Sequence, residues 1–173
     1  MKTEETDFSD ELRNLLESSL KHYNIVIERE RPGGFANVKQ GEIDLYISNY
    51  KNDIKNVIAV GEVKKWGKYN SQLKQLLGYM IYGSNFGFTI ILNRDISFSS
   101  LKEKMKKIID ELEVVHKGEA KFKTKHFGEL EDFNNTFVSS HVDPDNDKEF
   151  RIYHIIVNVN KEGHLEAAKQ ARS

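Results

Sequence analysis

Two charged residues at the end of an apolar run are the strongest chemical signal in this sequence. The stretch VIAVGEVKKW, residues 57 to 66, begins with four apolar residues and then places Glu62 and Lys64 two positions apart. Alternate residues of a β-strand leave the same face, so these side chains are predicted to be neighbours. A buried carboxylate or ammonium without a partner costs several kcal/mol. We therefore expect the pair to be ion-paired, to bind a metal or to open into a cleft.

A second carboxylate is expected beside this pair. In VKQGEIDLYIS, residues 38 to 48, apolar residues alternate with Glu42, Asp44 and Tyr46, which predicts a strand with its carboxylates on one face. If Asp44 lies alongside Glu62, two carboxylates converge beside the amine of Lys64. A hard divalent cation with oxygen ligands would relieve their repulsion. Glu42 shares the face of Asp44, and it is interpreted as either an additional ligand or a solvated side chain.

The surrounding hydrophobic pattern predicts the elements that position these residues. Helical spacing predicts three helices, and short apolar or alternating runs predict strands before, between and after them. The predicted helices lie at 8 to 20, about 70 to 82 and within 99 to 115, and the strands at 23 to 30, 38 to 48, 57 to 66, 87 to 93, 120 to 128 and 149 to 159. The polar segment between the last two strands is interpreted as a loop. The order favours an α/β (α+β) fold with a mixed sheet flanked by helices, and parallel strands on either side of the second helix.

Composition limits the classes of function. The 173 residues are 38% hydrophobic, which suits a single domain spanning 1 to 173. The 26 Lys plus Arg and 27 Asp plus Glu leave a net charge of -1, so nucleic acid would need a local basic patch. One such cluster surrounds the proposed cleft, whereas a second on the third helix is interpreted as a solvated face. These clusters are Lys64, Lys65, Lys68 and Lys74, and Lys102, Lys104, Lys106 and Lys107.

Cysteine usage and hydropathy point to the cellular setting. The chain has no cysteine, which excludes disulfides and thiolate chemistry and agrees with a reducing compartment. Its acidic start lacks the apolar core of a signal peptide, and no stretch reaches the roughly 20 apolar residues of a membrane span. We expect a cytoplasmic protein that does not contact membranes.

The order and spacing of these residues resemble the PD-(D/E)xK nuclease superfamily. GEIDLYI carries the acidic residue on one strand, GEVKKW carries Glu-x-Lys on the next, and QLLGY in the second helix is similar to the Gln-x-x-x-Tyr motif of a subset of these nucleases. The resemblance covers residues 7 to 93 and implies a restriction-endonuclease-like αβββαβ core. Ile43 stands where the motif name has proline. Residues 100 to 173 would add a helix and a β-hairpin, for which substrate choice and dimerisation are both open.

The resemblance implies a role for each residue of the motifs. Asp44 and Glu62 would bind Mg²⁺ or Mn²⁺ together with the backbone carbonyl of Val63. Lys64 would orient or activate the attacking water and offset charge on the phosphate. Gln75 and Tyr79, which share a helix face, would position the water, the lysine or the scissile phosphate. A first-helix glutamate often completes the metal site in this superfamily, and here Glu11 is slightly preferred over Glu17.

The resulting expectation is a metal-dependent nuclease that hydrolyses phosphodiester bonds, with DNA as the expected substrate, in restriction, defence or repair. The sequence contains no motor motif, so a targeting partner or fused domain is expected, and a homodimer would supply the two sites needed to cut both strands. The alternative is a catalytically silent module on the same fold that binds nucleic acid or protein. In that case the carboxylates would be structural.

Overall fold

The computed structural model describes residues 4–33, 41–80, 84–94, 96–116, 118–144, 146–159 and 168–172. The helices are α1 (Glu4–Leu20), α2 (Tyr69–Met80) and α3 (Phe98–Asp110). The strands are β1 (Ile25–Glu28), β2 (Arg31–Gly33), β3 (Gly41–Ile43), β4 (Leu45–Lys51), β5 (Ile54–Lys65), β6 (Phe86–Asn93), β7 (Val114–His116), β8 (Glu119–Lys121), β9 (Thr124–Glu129), β10 (Thr136–Val142) and β11 (Glu149–Asn158). The three predicted helices are therefore confirmed, and the predicted residues 38–40 and 81–82 lie outside the described ranges. No helix in those ranges is long and apolar enough to cross a membrane.

Seven strands form one mixed sheet in the order β1-β4-β5-β6-β11-β10-β9. The β5–β6 and β6–β11 pairs are parallel and the other four pairs are antiparallel. The predicted mixed sheet and the parallel strands on either side of α2 are thus confirmed. Two further antiparallel pairs, β2–β3 and β7–β8, lie outside the main sheet.

The polar segment between the last two predicted strands contains β10, so the prediction of a loop there is wrong. Phe137, Ser139 and His141 alternate along it and are buried. Two of these three inward residues are polar, so the period of two was not visible as an apolar pattern. Because β10 separates β9 from β11, the two predicted strands do not pair with each other, and β11 lies beside β6 instead.

The two faces of the sheet are covered by different helices. One core cluster joins the apolar residues of α2 and α3 to Val60, and the other joins those of α1 to Ala59 and Val63. Alternate residues of β5 therefore face opposite layers. Glu62 follows Val60 to the α2 side, where it has no exposed surface.

Candidate active site

The first acidic residue lies where one predicted strand is broken in two. β3 ends at Ile43 and β4 begins at Leu45, so Asp44 occupies the bend between them. The β4–β5 pairing ends at Leu45 with Gly61, and beyond it the N–H of Val63 donates to Oδ2 of Asp44 at 2.8 Å. The N–H and C=O of one strand residue point to the same side, so the Val63 carbonyl faces this edge as well.

Asp44, Lys64 and Glu62 form a continuous charged cluster. The Lys64 ammonium donates to Oδ2 of Asp44 at 2.7 Å and lies 3.3 Å from Oε2 of Glu62. The side chains of Asp44 and Lys64 are 18% and 23% exposed, whereas that of Glu62 is fully buried. The cluster thus opens to solvent through Asp44 and Lys64 and is closed behind Glu62.

Glu62 is the least satisfied group of this cluster. Neither carboxylate oxygen has a hydrogen-bond partner among the described residues, because the nearby Lys64 ammonium lacks hydrogen-bonding geometry toward Oε2. Burial first, and the negative charge of Asp44 second, raise the pKa of Glu62 to about 8. A buried acid whose one nearby cation, Lys64, is shared with Asp44 gains from a ligand that binds its charged form, and a divalent cation is such a ligand.

The charge of Lys64 is stabilised by the same neighbours. Burial acts to lower the pKa of Lys64, but the carboxylates of Glu62 and Asp44 outweigh burial and raise the pKa above its ordinary value. The side chain is therefore an ammonium at neutral pH. It can donate hydrogen bonds and offset negative charge, but it has no lone pair with which to remove a proton.

Gln75 and Tyr79 contact the strand that leads to Asp44. Gln75 Nε2 donates to the Tyr79 hydroxyl at 2.6 Å, and that hydroxyl donates to the Glu42 carbonyl at 3.2 Å. Burial raises the pKa of Tyr79, which keeps the hydroxyl protonated as this donor requires. The motif thus holds the backbone two residues before Asp44, while the Glu42 side chain is exposed.

Gln72 is a site residue that the sequence analysis missed. It is 1% exposed, and its Nε2 donates to the Glu62 carbonyl at 2.7 Å. It lies three positions before Gln75 and seven before Tyr79, and this spacing on one helix face was the available signal. α2 therefore holds the backbone of both acidic segments, through Gln72 at Glu62 and through Tyr79 at Glu42.

The first-helix glutamates lie on the other layer of the molecule. α1 packs against the face that carries Val63, opposite to the Glu62 side chain. Glu17 pairs with Arg13 at 2.9 Å, and Glu11 is exposed. Within the described part of the chain no group of three or more His, Cys, Asp or Glu residues could hold a metal. The participation of Glu11 therefore stays a prediction, and the Val63 carbonyl is the candidate third ligand.

The two lysine clusters differ in their position relative to the candidate site. Lys65, Lys68 and Lys74 are exposed and follow Lys64 along the chain. On α3, three of the four lysines have carboxylate partners, which supports the interpretation of a solvated, ion-paired face. These pairs are Lys102–Glu129, Lys106–Asp110 and Lys107–Glu111. The cluster after Lys64 is the better candidate for a phosphate-binding surface, because it directly follows a residue of the candidate site.

A second buried polar cluster adjoins the site through Thr89, the cross-strand partner of Glu62. Thr89 Oγ1 lies 3.0 Å from Nδ1 of His154, whose Nε2 lies 2.8 Å from Ser139 Oγ. Ser139 Oγ in turn lies 2.8 Å from Nε2 of His141, and Nδ1 of His141 lies 3.3 Å from the Phe122 carbonyl.

The hydrogen-bond directions in this cluster follow from the contact between His141 and the Phe122 carbonyl. A carbonyl only accepts, so His141 Nδ1 carries its proton and Nε2 accepts from the Ser139 hydroxyl. Ser139 Oγ then accepts from His154 Nε2, which leaves Nδ1 to accept from the hydroxyl of Thr89 or from that of Tyr69 at 3.1 Å. Burial lowers the pKa of His141 to about 4 and that of His154 to about 3, which agrees with two neutral rings.

Comparison of this chain with models of protein families, with curated proteins and with solved structures finds no match.

Proposed function

We propose that this protein is a metal-dependent nuclease of the PD-(D/E)xK type that hydrolyses phosphodiester bonds in DNA. The observation that carries the proposal is the convergence of Asp44, Glu62 and Lys64 at the open end of β5. Glu62 is fully buried there, and neither of its carboxylate oxygens accepts a hydrogen bond from the residues that the structure describes. In an ordinary surface ion pair the carboxylate oxygens remain hydrated. A surface ion pair therefore does not explain the buried carboxylate of Glu62.

The donor set suits Mg²⁺ or Mn²⁺. Asp44, Glu62 and the Val63 carbonyl would hold the cation through oxygen atoms, which are the ligands that hard divalent cations prefer. When bound, the cation would supply charge neutralisation at the phosphate and a water of lowered pKa. Few protein ligands suffice for Mg²⁺, which usually retains several waters.

Lys64 acts as an electrostatic group. Its ammonium remains protonated between the two carboxylates, so it would hold a phosphate oxygen and offset the charge that develops there. Gln72 and Tyr79 position the acidic residues because they hydrogen-bond to the backbone carbonyls of Glu62 and Glu42, and Gln75 donates to the Tyr79 hydroxyl. The exposed lysines that follow Lys64 would bind the phosphates that flank the scissile bond.

The test is a cleavage assay on the purified protein and two lysine variants. Plasmid, linear duplex, single-stranded DNA and RNA are incubated with Mg²⁺, Mn²⁺ or EDTA. We expect cleavage of DNA that requires the metal and falls by at least about a hundredfold in Lys64→Ala, because an aligned charged donor is lost. Lys104→Ala, an exposed residue of α3, is the matched control and should retain full activity.

Metal-independent cleavage, or full cleavage by Lys64→Ala, would contradict the proposal. Binding of nucleic acid without cleavage under any condition would favour the silent binding module. Cleavage of RNA alone would support the proposed phosphodiester hydrolysis but contradict DNA as the substrate.

A further inference from the structure

An apolar groove lies on the sheet face against which α1 packs, on the side opposite to the Glu62 side chain. It has a volume of about 590 Å³. Its walls are α1 and the turn between β9 and β10, and its floor is formed by β6 and β11. Wall and floor residues include Leu12, Leu16, Leu130, Phe133, Phe88 and Ile155.

The groove exists because α1 covers only part of this face. An α-helix is about 10 Å across and strands are about 4.8 Å apart, so one helix covers about two strands. α1 is the only described helix whose apolar residues pack against this face, since α2 and α3 belong to the other core cluster and residues 168–172 are exposed. The half of the face formed by β6 and β11 therefore lacks a helical layer within the described residues.

A large apolar side chain stands at the lip of the groove that the turn forms. Phe133 on this turn is 62% exposed although it also lines the groove. Exposed apolar residues that border an apolar groove are typical of a binding surface.

The turn at this lip also carries negative charge. Glu131 and Asp132 lie between the groove residues Leu130 and Phe133. Both carboxylates are exposed, and neither has an ion-pair partner among the residues that the structure describes. A partner with basic residues along one side of an apolar stripe would match both features.

We propose that this groove binds an amphipathic helix of a partner protein, with its apolar face on β6 and β11 and with Lys or Arg on the flank that faces the turn. Such a helix would lie beside α1 at the usual distance of about 8–10 Å between helix axes and would complete the helical layer on this face. Recognition would follow the helix-in-groove mode, with apolar anchors one turn apart. This inference is independent of the proposed nuclease activity.

The test is a selection from displayed random peptides long enough for about four helical turns, with the full chain as bait. Peptides are counter-selected against Phe133→Asp, whose melting temperature should match that of the unchanged protein because the side chain is exposed. We expect enriched peptides to carry apolar residues at helical spacing together with Lys or Arg. Synthetic copies should bind at least about tenfold more weakly to Phe133→Asp and to Glu131→Lys/Asp132→Lys, and equally well to Val115→Asp, an exposed control on β7.

Three results would overturn the proposal. The first is that no peptide is enriched over the Phe133→Asp bait. The second is that enriched peptides lack basic residues and bind the charge-reversed variant with unchanged affinity. Apolar contact would then account for the binding without any charge recognition. The third is a concentration-dependent dimer that Phe133→Asp abolishes, which would make a second copy of this chain the occupant.

Discussion

At the scale of single residues, Glu62 is the group whose environment is least compatible with its ordinary state. It is fully buried, its oxygens have no hydrogen-bond partners among the described residues, and its pKa is raised to about 8. Between pH 4.5 and about 8 the carboxyl is therefore mostly neutral in the folded protein, whereas it is mostly charged in the unfolded chain. Ionisation costs folding free energy unless a cation accompanies it.

Replacement of Glu62 by glutamine tests this description. Above pH 8 without metal, Glu62→Gln should be more stable than the unchanged protein by on the order of 5 kcal/mol, because the amide carries no charge to bury. Below pH 4.5 the two proteins should be nearly equal. Urea unfolding in EDTA measures both differences, and the exposed Glu103→Gln is the control that should follow the unchanged protein.

The same variant tests the proposed metal site. Mg²⁺ or Mn²⁺ should raise the melting temperature of the unchanged protein, since a ligand that binds only the folded state stabilises it. Glu62→Gln should lose that increase and Glu103→Gln should keep it. An undiminished increase in Glu62→Gln would locate the metal elsewhere.

At the scale of elements, β5 carries the site and depends on a close approach to β6. Gly61, which precedes Glu62, pairs across the ladder with Phe88. A Cβ atom at Gly61 would lie 2.2 Å from the Phe88 ring, so either the ring or the strand would have to move. The glycine thus allows Phe88 to pack over β5 next to the candidate ligand.

Gly61→Ala should therefore destabilise the protein by about 1–3 kcal/mol through overpacking. The matched control is Gly78→Ala in α2, where a Cβ atom would meet nothing within 4 Å. That change should be neutral or stabilise by about 0.5–1 kcal/mol, since alanine is the better helix former. Both values come from urea unfolding, and equal effects of the two variants would contradict the close approach of Phe88 to β5.

At the scale of the whole molecule, Glu62 and the two buried histidines give the stability opposite dependences on pH. The pKa values of His141 and His154 are lowered to about 4 and about 3, so the unfolded state binds more protons than the folded state as pH falls below 6.5. Stability is therefore lost toward acid. The raised pKa of Glu62 acts in reverse, because the folded state binds the extra proton between 4.5 and about 8 and stability falls as pH rises through that window.

Below pH 6.5 the extra protons that the two histidines bind in the unfolded state outnumber the one extra proton that Glu62 binds in the folded state. Above pH 6.5 the proton on Glu62 dominates the pH dependence of stability. In EDTA we expect stability to be greatest near pH 6.5 and to decline on both sides. Mg²⁺ should flatten the alkaline decline. Glu62→Gln should remove the alkaline decline and steepen the acid decline between pH 6.5 and 4.5, because the glutamate no longer opposes the histidines there. Unfolding free energies across this range provide the measurement, and an alkaline decline that persists in Glu62→Gln would assign it to another group.

The sequence by itself determined the local features of this protein. The period of two in β5 placed Glu62 and Lys64 on one face, and helical spacing located α1, α2 and α3. These predictions succeeded because periodicity is a property of the element and does not depend on its neighbours. β10 was missed because its inward Ser139 and His141 are buried as a hydrogen-bonded polar cluster, which carries no apolar pattern.

Only the tertiary structure decided how these elements meet. The β4–β5 pairing ends before Val63, so the Val63 N–H has no strand partner on that side and donates to the Asp44 side chain instead. This contact places Asp44 within hydrogen-bonding distance of Lys64. The position of α2 makes Gln72 a site residue and removes Glu62 from solvent, whereas α1 lies on the opposite layer. Strand register and the choice of face depend on contacts between residues far apart in the chain, and the local spacing of residue types does not encode them.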